Sequence, residues 1–325
     1  MKKPSTVTLQ LSYFQLHIDP SNVAILKIDC PGKVNVLNTA VLAELEKILD
    51  ALAEGHKFIK GLVIYSGKEN GFIAGADIKE IVQAQQLDES VAYEGSQRGK
   101  AVFAKLAALP FKSVAAIHGR CLGGGLELAL HCSYRLASDD ESTVLGLPEL
   151  ALGVLPGWGG CIISSKITGL LNAALLVLSP LKPWSAHKAW RHELVSEVVP
   201  AEHMLKRANY LVRRGYASTY KPTAKERFTK AAIDNPAGRW LFRHLLRAKV
   251  KKAIGDKYPA PYAAIDVLIK ARNLSASAAA HLESATFAKL CHTAQSREAV
   301  QTFLSRKTSG IERRAVGEYR QGESK

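Results

Sequence analysis

The stretch Ala115-Ala-Ile-His-Gly-Arg-Cys-Leu-Gly-Gly-Gly-Leu-Glu-Leu-Ala-Leu130 is the most informative part of this chain of 325 residues. Its apolar start predicts a buried strand, its three consecutive glycines predict a tight turn, and the apolar residues after them predict a helix. Glu127 would then lie in the first turn of that helix. Because glycine has no side chain, backbone N–H groups in such a turn can approach a ligand oxygen and stabilise it as it becomes an oxyanion.

Two further motifs flank this stretch. Leu145-Gly-Leu-Pro-Glu149 supplies a second carboxylate, and Phe72-Ile-Ala-Gly-Ala-Asp77 supplies a second turn of small residues. Two carboxylates can share a water or pass a proton. Taken singly, each motif has a structural explanation, since glycines form tight turns and acidic residues are favoured in the first turn of a helix. Together they predict a site for acid–base chemistry on a carbonyl compound.

Strands and helices alternate in the first two thirds of the chain, which predicts an α/β fold. Apolar runs indicate strands at 7–14, 23–29, 61–65 and 113–117, and helical periodicity indicates helices at 39–53 and 79–108. From about residue 201 onward only helices are predicted, at 201–215, 223–233, 236–253, 259–273 and 276–291. We therefore divide the chain into a core at 1–200, a basic helical region at 201–306 and a flexible polar tail at 307–325.

The charge of the chain is unevenly distributed. Its net charge is +15, and residues 201–325 hold 25 Lys and Arg against 10 Asp and Glu, so this part carries the whole excess. Such a field attracts anions, which include coenzyme A, an acidic protein, an anionic membrane surface and nucleic acid. A solvated basic face without a dedicated ligand is an equally good explanation. No aromatic stacking motif accompanies the basic residues, which argues against nucleic acid.

Several classes of protein are disfavoured by the sequence. The five cysteines are scattered and form no CxxC pair, which indicates buried thiols and neither a disulfide framework nor a metal site. The longest apolar stretch, residues 169–178, is about half of what a membrane span needs, so it predicts a core helix. The basic N-terminus is followed by no apolar run, which argues against a secretory signal. We therefore expect a cytoplasmic protein without a membrane span.

The three motifs, in this order, resemble the crotonase (enoyl-CoA hydratase/isomerase) superfamily over about residues 11–306. The resemblance is greatest to the N-terminal hydratase/isomerase part of the bifunctional fatty-acid oxidation alpha subunit. It does not extend to the dehydrogenase domain, because the chain has no GxGxxG between a strand and a helix. The fold that the resemblance implies is a ClpP-like spiral of ββα units followed by a C-terminal helical region.

The activity that the resemblance implies is the addition of water across the 2,3-double bond of trans-2-enoyl-CoA in fatty-acid beta-oxidation. A delta3-delta2-enoyl-CoA isomerase side activity is consistent with the same residues. Two alternatives stay open: another crotonase-type reaction on a CoA thioester, and a non-catalytic subunit that binds CoA or nucleic acid. The resemblance also leaves open a homotrimer or a dimer, and a thiolase or dehydrogenase partner.

The resemblance further implies roles for individual residues. Glu127 and Glu149 would be the catalytic carboxylates, and the backbone N–H groups of Ala76 and Gly124 would form the oxyanion hole. No cofactor and no metal are implied, because coenzyme A is part of the substrate. The residues expected to bind coenzyme A are Lys33, Val34, Ala74, Ala76, Asp77 and Ile78.

The sequence departs from the family pattern at Pro156-Gly-Trp-Gly-Gly-Cys161. Trp158 stands where relatives have a small residue, close to the place where Glu149 would act. A second departure, the segment with Pro180, Pro183 and Trp184, follows the apolar helix. We expect Trp158 to line the acyl pocket, and either tryptophan could narrow it. The sequence does not decide the preferred length of the acyl chain.

Overall fold

A computed structural model of the protein describes residues 8–55, 57–69, 71–216 and 220–305. Val7 and the predicted polar tail at 307–325 lie outside these residues. The strands are β1 Thr8–Gln10, β2 Phe14–Ile18, β3 Val23–Ile28, β4 Gly61–Ser66, β5 Gly71–Ile73, β6 Ser113–Ile117, β7 Arg120–Leu122, β8 Tyr134–Ser138, β9 Val144–Gly146, β10 Trp184–Ser185 and β11 Glu197–Val199. The helices are α1 Thr39–Glu54, α2 Ile78–Gln86, α3 Glu89–Ala107, α4 Gly124–His131, α5 Gly160–Val177, α6 Ala186–Arg191, α7 Met204–Arg214, α8 Ala224–Asp234, α9 Pro236–Ile254, α10 Pro259–Lys270, α11 Ala276–Cys291 and α12 at 294–305.

The strands form two sheets, and the chain passes between them in a repeating unit. The larger sheet has the order β1-β2-β3-β4-β6-β8-β11, and the smaller has the order β10-β9-β7-β5. Each unit places one strand in the larger sheet and the next strand in the smaller sheet, and then forms one or more helices. The units are β4-β5 with α2 and α3, β6-β7 with α4, and β8-β9 with α5. This confirms the predicted α/β spiral of ββα units.

The C-terminal helices complete the hydrophobic core of the spiral. Ala264 and Leu268 on α10 and Ala288 on α11 are buried in the same cluster as Ile64 of β4 and Leu126 of α4. On the other face of the larger sheet, α7 buries Leu211 and Val212 against strand residues. The helices predicted after residue 201 therefore form as expected, and α7, α10 and α11 bury their apolar faces on the core strands and helices, whereas α8 buries no residue and α9 buries only Phe242.

Two predicted boundaries are wrong. The helix expected at 79–108 is two helices, because Leu87 adopts an extended conformation and Asp88 begins α3 as its N-terminal cap residue. The strand expected at 7–14 is also interrupted. Its first residues form β1 and Phe14 begins β2, with a tight turn that places Leu11 N–H against the carbonyl of Phe14. In both places short-range turn chemistry overrides a continuous apolar pattern.

The apolar helix α5 is long and apolar enough to cross a membrane by length and composition, but 67% of it is buried inside the protein. The prediction of a core helix is confirmed. It contains a kink at Gly169, whose φ of +80° is readily adopted only by glycine.

All five cysteines are free and buried, as predicted.

Candidate active site

A cavity of about 260 Å³ lies where the glycine turn before α4 meets α2, α3 and α11. Its polar lining includes Glu127, Glu149 and the backbone of Ala76 and Gly124. The apolar part of its wall comes mostly from helices that are distant in the sequence, and includes Leu42, Ile81, Ala84, Leu87, Val91, Ala92, Val154 and Phe287. A cavity with a few polar groups at one place and an apolar remainder suits an amphipathic ligand such as an acyl thioester.

The glycine turn gives the Glu149 carboxylate its place. Gly123 has a φ of +51°, and a Cβ on it would lie 2.8 Å from Oε1 of Glu149. Glu149 itself begins a short 3₁₀ turn, Glu149–Leu152, that follows β9. Its Oε2 is buried and has no hydrogen-bond partner among the described residues. A buried carboxyl oxygen of this kind is a group that a substrate or a water would satisfy.

Two backbone N–H groups lie side by side in the wall of the same cavity. Gly124 is the first residue of α4, and a Cβ on it would lie 3.4 Å from the backbone N of Ala76. Within the described part of the chain, neither N–H donates a hydrogen bond to a protein acceptor. The helix N-terminus also favours negative charge. The pair can therefore stabilise an oxyanion in the cavity.

Glu127 lies one turn into α4 and is 2% exposed. Its Oε1 accepts hydrogen bonds from the backbone N–H of Trp158 at 2.7 Å and of Gly160 at 2.8 Å. Trp158 lies in the turn before α5, and Gly160 is the first residue of α5. Two such bonds favour the ionised form and fix the orientation of the carboxylate.

The two glutamates are distinguished by their surroundings. Burial first, and the Glu283 charge second, raise the pKa of Glu127 to about 8, against the lowering effect of its two N–H donors. Burial first, and the Glu127 charge second, raise the pKa of Glu149 well above its ordinary value. Because only Glu127 receives two N–H bonds from other residues, we assign it the first ionisation of the pair and leave the proton on Glu149. One base and one acid then face the same cavity.

Trp158 lines the cavity beside both glutamates. Its ring lies over two glycines, since a Cβ on Gly124 would come within 2.5 Å of Cζ3, and a Cβ on Gly99 would clash with the indole nitrogen. The indole N–H donates to the carbonyl of Gly95 at 3.3 Å, and Phe103 packs edge-on against the ring. The backbone N–H of Trp158 thus helps to orient Glu127, while the indole ring occupies part of the cavity.

Trp184 does not share this role. It is 1% exposed in β10, packs against His192, and is absent from the cavity wall. Trp184, the second tryptophan that could have narrowed the pocket, does not narrow this cavity, because the antiparallel pairing of β10 with β9 buries its ring elsewhere in the core.

The segments expected to bind coenzyme A lie next to each other at one edge of the cavity. Ala74 N–H donates to the carbonyl of Asn35, and Asp77 N–H donates to the carbonyl of Leu37, so the two segments are hydrogen-bonded together. Asp77 and Ala76 line the cavity, whereas the other residues expected to bind coenzyme A do not. Of these, Lys33, Val34 and Ala74 are exposed, and Ile78 is half-buried.

A buried ion pair beside the glutamates was not predicted from the sequence. Lys100 on α3 lies 3.1 Å from Glu283 on α11, and both side chains are buried. A signal was available, since each charged residue stands on a helix face that otherwise carries only small or apolar residues, four residues after the buried Ser96 or Ala279. What the sequence could not show was that these two faces meet.

The chain matches one family model, and its fold is similar to that of several solved structures. A model of the family described as "Enoyl-CoA hydratase/isomerase" matches residues 19–245. A carnitinyl-CoA dehydratase from Mycobacterium thermoresistibile is 18% identical with a TM-score of 0.67, covering 93% of this chain and 90% of that one. An enoyl-CoA hydratase from Mycobacterium avium subsp. paratuberculosis is 18% identical with a TM-score of 0.61, covering 91% and 98%. An enoyl-CoA hydratase from Bacillus anthracis is 25% identical with a TM-score of 0.55, covering 76% and 96%.

The structural similarities show the shared fold, and the family model covers more than half of the chain, including the two glycine turns and both glutamates. The expectation drawn from the three motifs is confirmed: the chain belongs to the crotonase superfamily, as a member of the enoyl-CoA hydratase/isomerase family.

Proposed function

We propose that this protein is an enoyl-CoA hydratase that adds water across the 2,3-double bond of a trans-2-enoyl-CoA. The observation that supports it most is that two carboxyl groups and two backbone N–H groups meet in one cavity, and that neither N–H has a protein acceptor among the described residues. Hydration of an enoyl thioester needs this set: a base for water, an acid for carbon, and donors for the thioester oxygen.

In the proposed reaction the N–H groups of Ala76 and Gly124 hold the thioester oxygen. The Glu127 carboxylate takes a proton from water as the water oxygen bonds to C3, and the double-bond electrons form an enolate. Glu149 then gives its proton to C2, and the thioester carbonyl is restored. Afterwards Glu127 carries the proton and Glu149 is ionised, so one proton passes between them, directly or through solvent, before the next turnover.

Coenzyme A enters this scheme as part of the substrate, and the reaction uses no cofactor. The pantetheine and nucleotide would follow the paired segments around Lys33 and Ala74 to the exposed edge of the cavity. We assign the reaction to fatty-acid beta-oxidation in the cytoplasm. Its 3-hydroxyacyl-CoA product would then pass to a dehydrogenase and a thiolase.

The test is an assay of the purified protein with trans-2-enoyl-CoA thioesters of increasing chain length. We expect loss of the enoyl absorbance and formation of a product heavier by one water, identified by mass spectrometry. No turnover at any chain length would contradict the proposal. Salt-sensitive RNA retention in the same preparation would favour the binding subunit considered above.

A second activity, isomerisation of a 3-enoyl-CoA to a 2-enoyl-CoA, is favoured by Oε2 of Glu149, which has no hydrogen-bond partner within the described ranges of the chain. In its ionised form Glu149 would take a proton from C2, and it would then return that proton to C4, so this reaction does not require Glu127 as a base. The same preparation tested with trans-3-enoyl-CoA would show it as formation of the conjugated enoyl absorbance.

Removing the Gly124 N–H should slow hydration by about a hundredfold, because one oxyanion donor contributes about 3 kcal/mol to the transition state. Gly124→Pro deletes this donor at the first position of a helix, where proline is tolerated. Any Cβ here would press on Trp158, so Gly124→Ala is the matched control, which adds the Cβ but keeps the N–H. If the two variants, both folded by circular dichroism, have equal turnover, the thioester oxygen is not bound at Gly124.

Shortening Trp158 should shift the substrate preference towards longer or bulkier acyl chains. Trp158→Leu empties part of the cavity but keeps the backbone N–H that binds Glu127. We expect kcat/KM for long chains to rise about tenfold relative to short ones, since each methylene in an apolar pocket is worth roughly 1–3 kcal/mol. Trp184→Leu is the control, because that ring is buried outside the cavity. An unchanged preference in Trp158→Leu would remove Trp158 from the acyl pocket.

A further inference from the structure

A cluster of four buried polar side chains adjoins the active-site cavity. It consists of Ser96 and Lys100 on α3 and of Glu283 and Ser284 on α11, and we call it the Lys100–Glu283 cluster. Lys100 Nζ lies 3.1 Å from Glu283 Oε2, and it donates to Ser284 Oγ at 2.6 Å and to Ser96 Oγ at 3.1 Å. All four residues are at most 9% exposed. The ammonium group therefore has three partners in a site closed to solvent.

Such a cluster is not explained by stability alone. Desolvation of two buried charges offsets much of their attraction, and apolar residues of similar volume are often as stabilising.

The cluster holds the turn that carries the donors to Glu127. Ser96 Oγ donates to the carbonyl of Gly157 at 2.5 Å, and Cys161 N–H donates to Glu283 Oε1 at 3.1 Å. Between these two anchors, the N–H groups of Trp158 and Gly160 donate to Glu127. The five residues 157–161 are thus bound by the catalytic carboxylate on one side and by the cluster on the other.

The cluster also supplies opposing charges to Glu127 from two different helices. Glu283 raises the pKa of Glu127, and Lys100 lowers it. The other titratable groups around Glu127 are Glu149 of the 3₁₀ turn, His131 one helical turn further along α4, and the neutral thiol of Cys161 on α5. Lys100 is the cation among these neighbours, so the charge near Glu127 depends on whether the ion pair is complete.

We propose that Lys100 and Glu283 are positioning residues for hydration, which fix the turn 157–161 against Glu127 and set the charge around that carboxylate. The inference rests on the proposed hydratase function. It assigns the pair an action through Glu127 and no contact with substrate.

Charge-changing variants should move the pH dependence of Glu127 in opposite directions. In wild type kcat/KM for hydration should rise with pH as Glu127 loses its proton, through an apparent pKa of about 8. Glu283→Gln removes an anion and leaves the Lys100 cation, which favours the ionised form of Glu127. The rising part of the kcat/KM curve should therefore move by about one unit to lower pH. Lys100→Met leaves the anion and should move this part of the curve to higher pH. The double variant, which removes both charges, should return it close to the wild-type position.

The measurement has two readouts, kcat/KM against pH and infrared titration of the Glu127 carboxyl band, which is identified by its loss in Glu127→Gln. Glu197→Gln is the control, because it breaks a partly exposed ion pair with Arg207 away from the cavity, and it should leave both curves unchanged. If Lys100→Met does not fold, Glu283→Gln and the double variant still decide, since the second substitution must reverse the shift caused by the first.

The inference would be overturned if the variants melt at a lower temperature but their two pH curves coincide with those of the wild type. The ion pair would then have a purely structural role. A shift in the infrared titration in a protein without any hydration would support the action on Glu127 and contradict the proposed function instead. The two failures are therefore distinguishable.

Discussion

Glu149→Gln should lower kcat for hydration by roughly 10²–10⁴-fold while KM for the enoyl thioester changes little. The amide has nearly the same shape as the carboxyl group, so it should fit against Gly123, where Oε1 of Glu149 now lies. It cannot give a proton to C2 and recover it. Because the loss occurs in the transition state and not in ground-state binding, the effect should appear in kcat.

Steady-state kinetics at several pH values, with a thermal melt of each variant, would measure this effect. Glu44→Gln is the matched control, because the Glu44 carboxylate accepts backbone N–H bonds from residues 12–14 away from the cavity. Near-wild-type turnover in Glu149→Gln would contradict the assignment of this residue as the acid.

Glu127→Gln should slow hydration to a similar degree for a different reason. The amide oxygen can still accept from Trp158 and Gly160, so the turn should stay in place. What is lost is the negative charge that removes a proton from water. Where the protein also isomerises trans-3-enoyl-CoA, that activity should survive better in Glu127→Gln than in Glu149→Gln, since one carboxyl group suffices for it.

Parallel assays of both reactions in both variants would separate these roles. Equal loss of hydration and isomerisation in the two variants would contradict the division of labour between base and acid. Full hydration in Glu127→Gln would mean that water is activated by another group.

The secondary structure was predictable where local signals are strong. Helix α8 begins with the Thr223–Glu226 capping box, and α9 begins at Asn235 followed by Pro236, so their boundaries were found within a residue or two. The break at Leu87 was missed although Asp88 is a common N-terminal cap residue, because apolar periodicity continues across it. The spiral arrangement itself came from the family resemblance, since periodicity does not tell which sheet a strand joins.

The candidate site was predictable where it is built from local motifs, and it was not predictable where it depends on contacts between distant segments. Glu127, Glu149 and Gly124 stand in short motifs, and each motif forms a turn whose geometry is local. Lys100 and Glu283 are far apart in the sequence, and they meet only because α3 packs against α11. No pattern within one segment could have paired them.

One experiment addresses the central proposal most directly. The wild-type protein and the Glu127→Gln/Glu149→Gln double variant would be incubated with trans-2-enoyl-CoA in water labelled with heavy oxygen and deuterium, and the products analysed by mass spectrometry. We predict a 3-hydroxyacyl-CoA from wild type with heavy oxygen on C3 and deuterium on C2, and no product above background from the double variant. Labelled product formed equally by both proteins would show that the two glutamates do not carry the reaction, and no labelled product from wild type would show that the protein is not a hydratase.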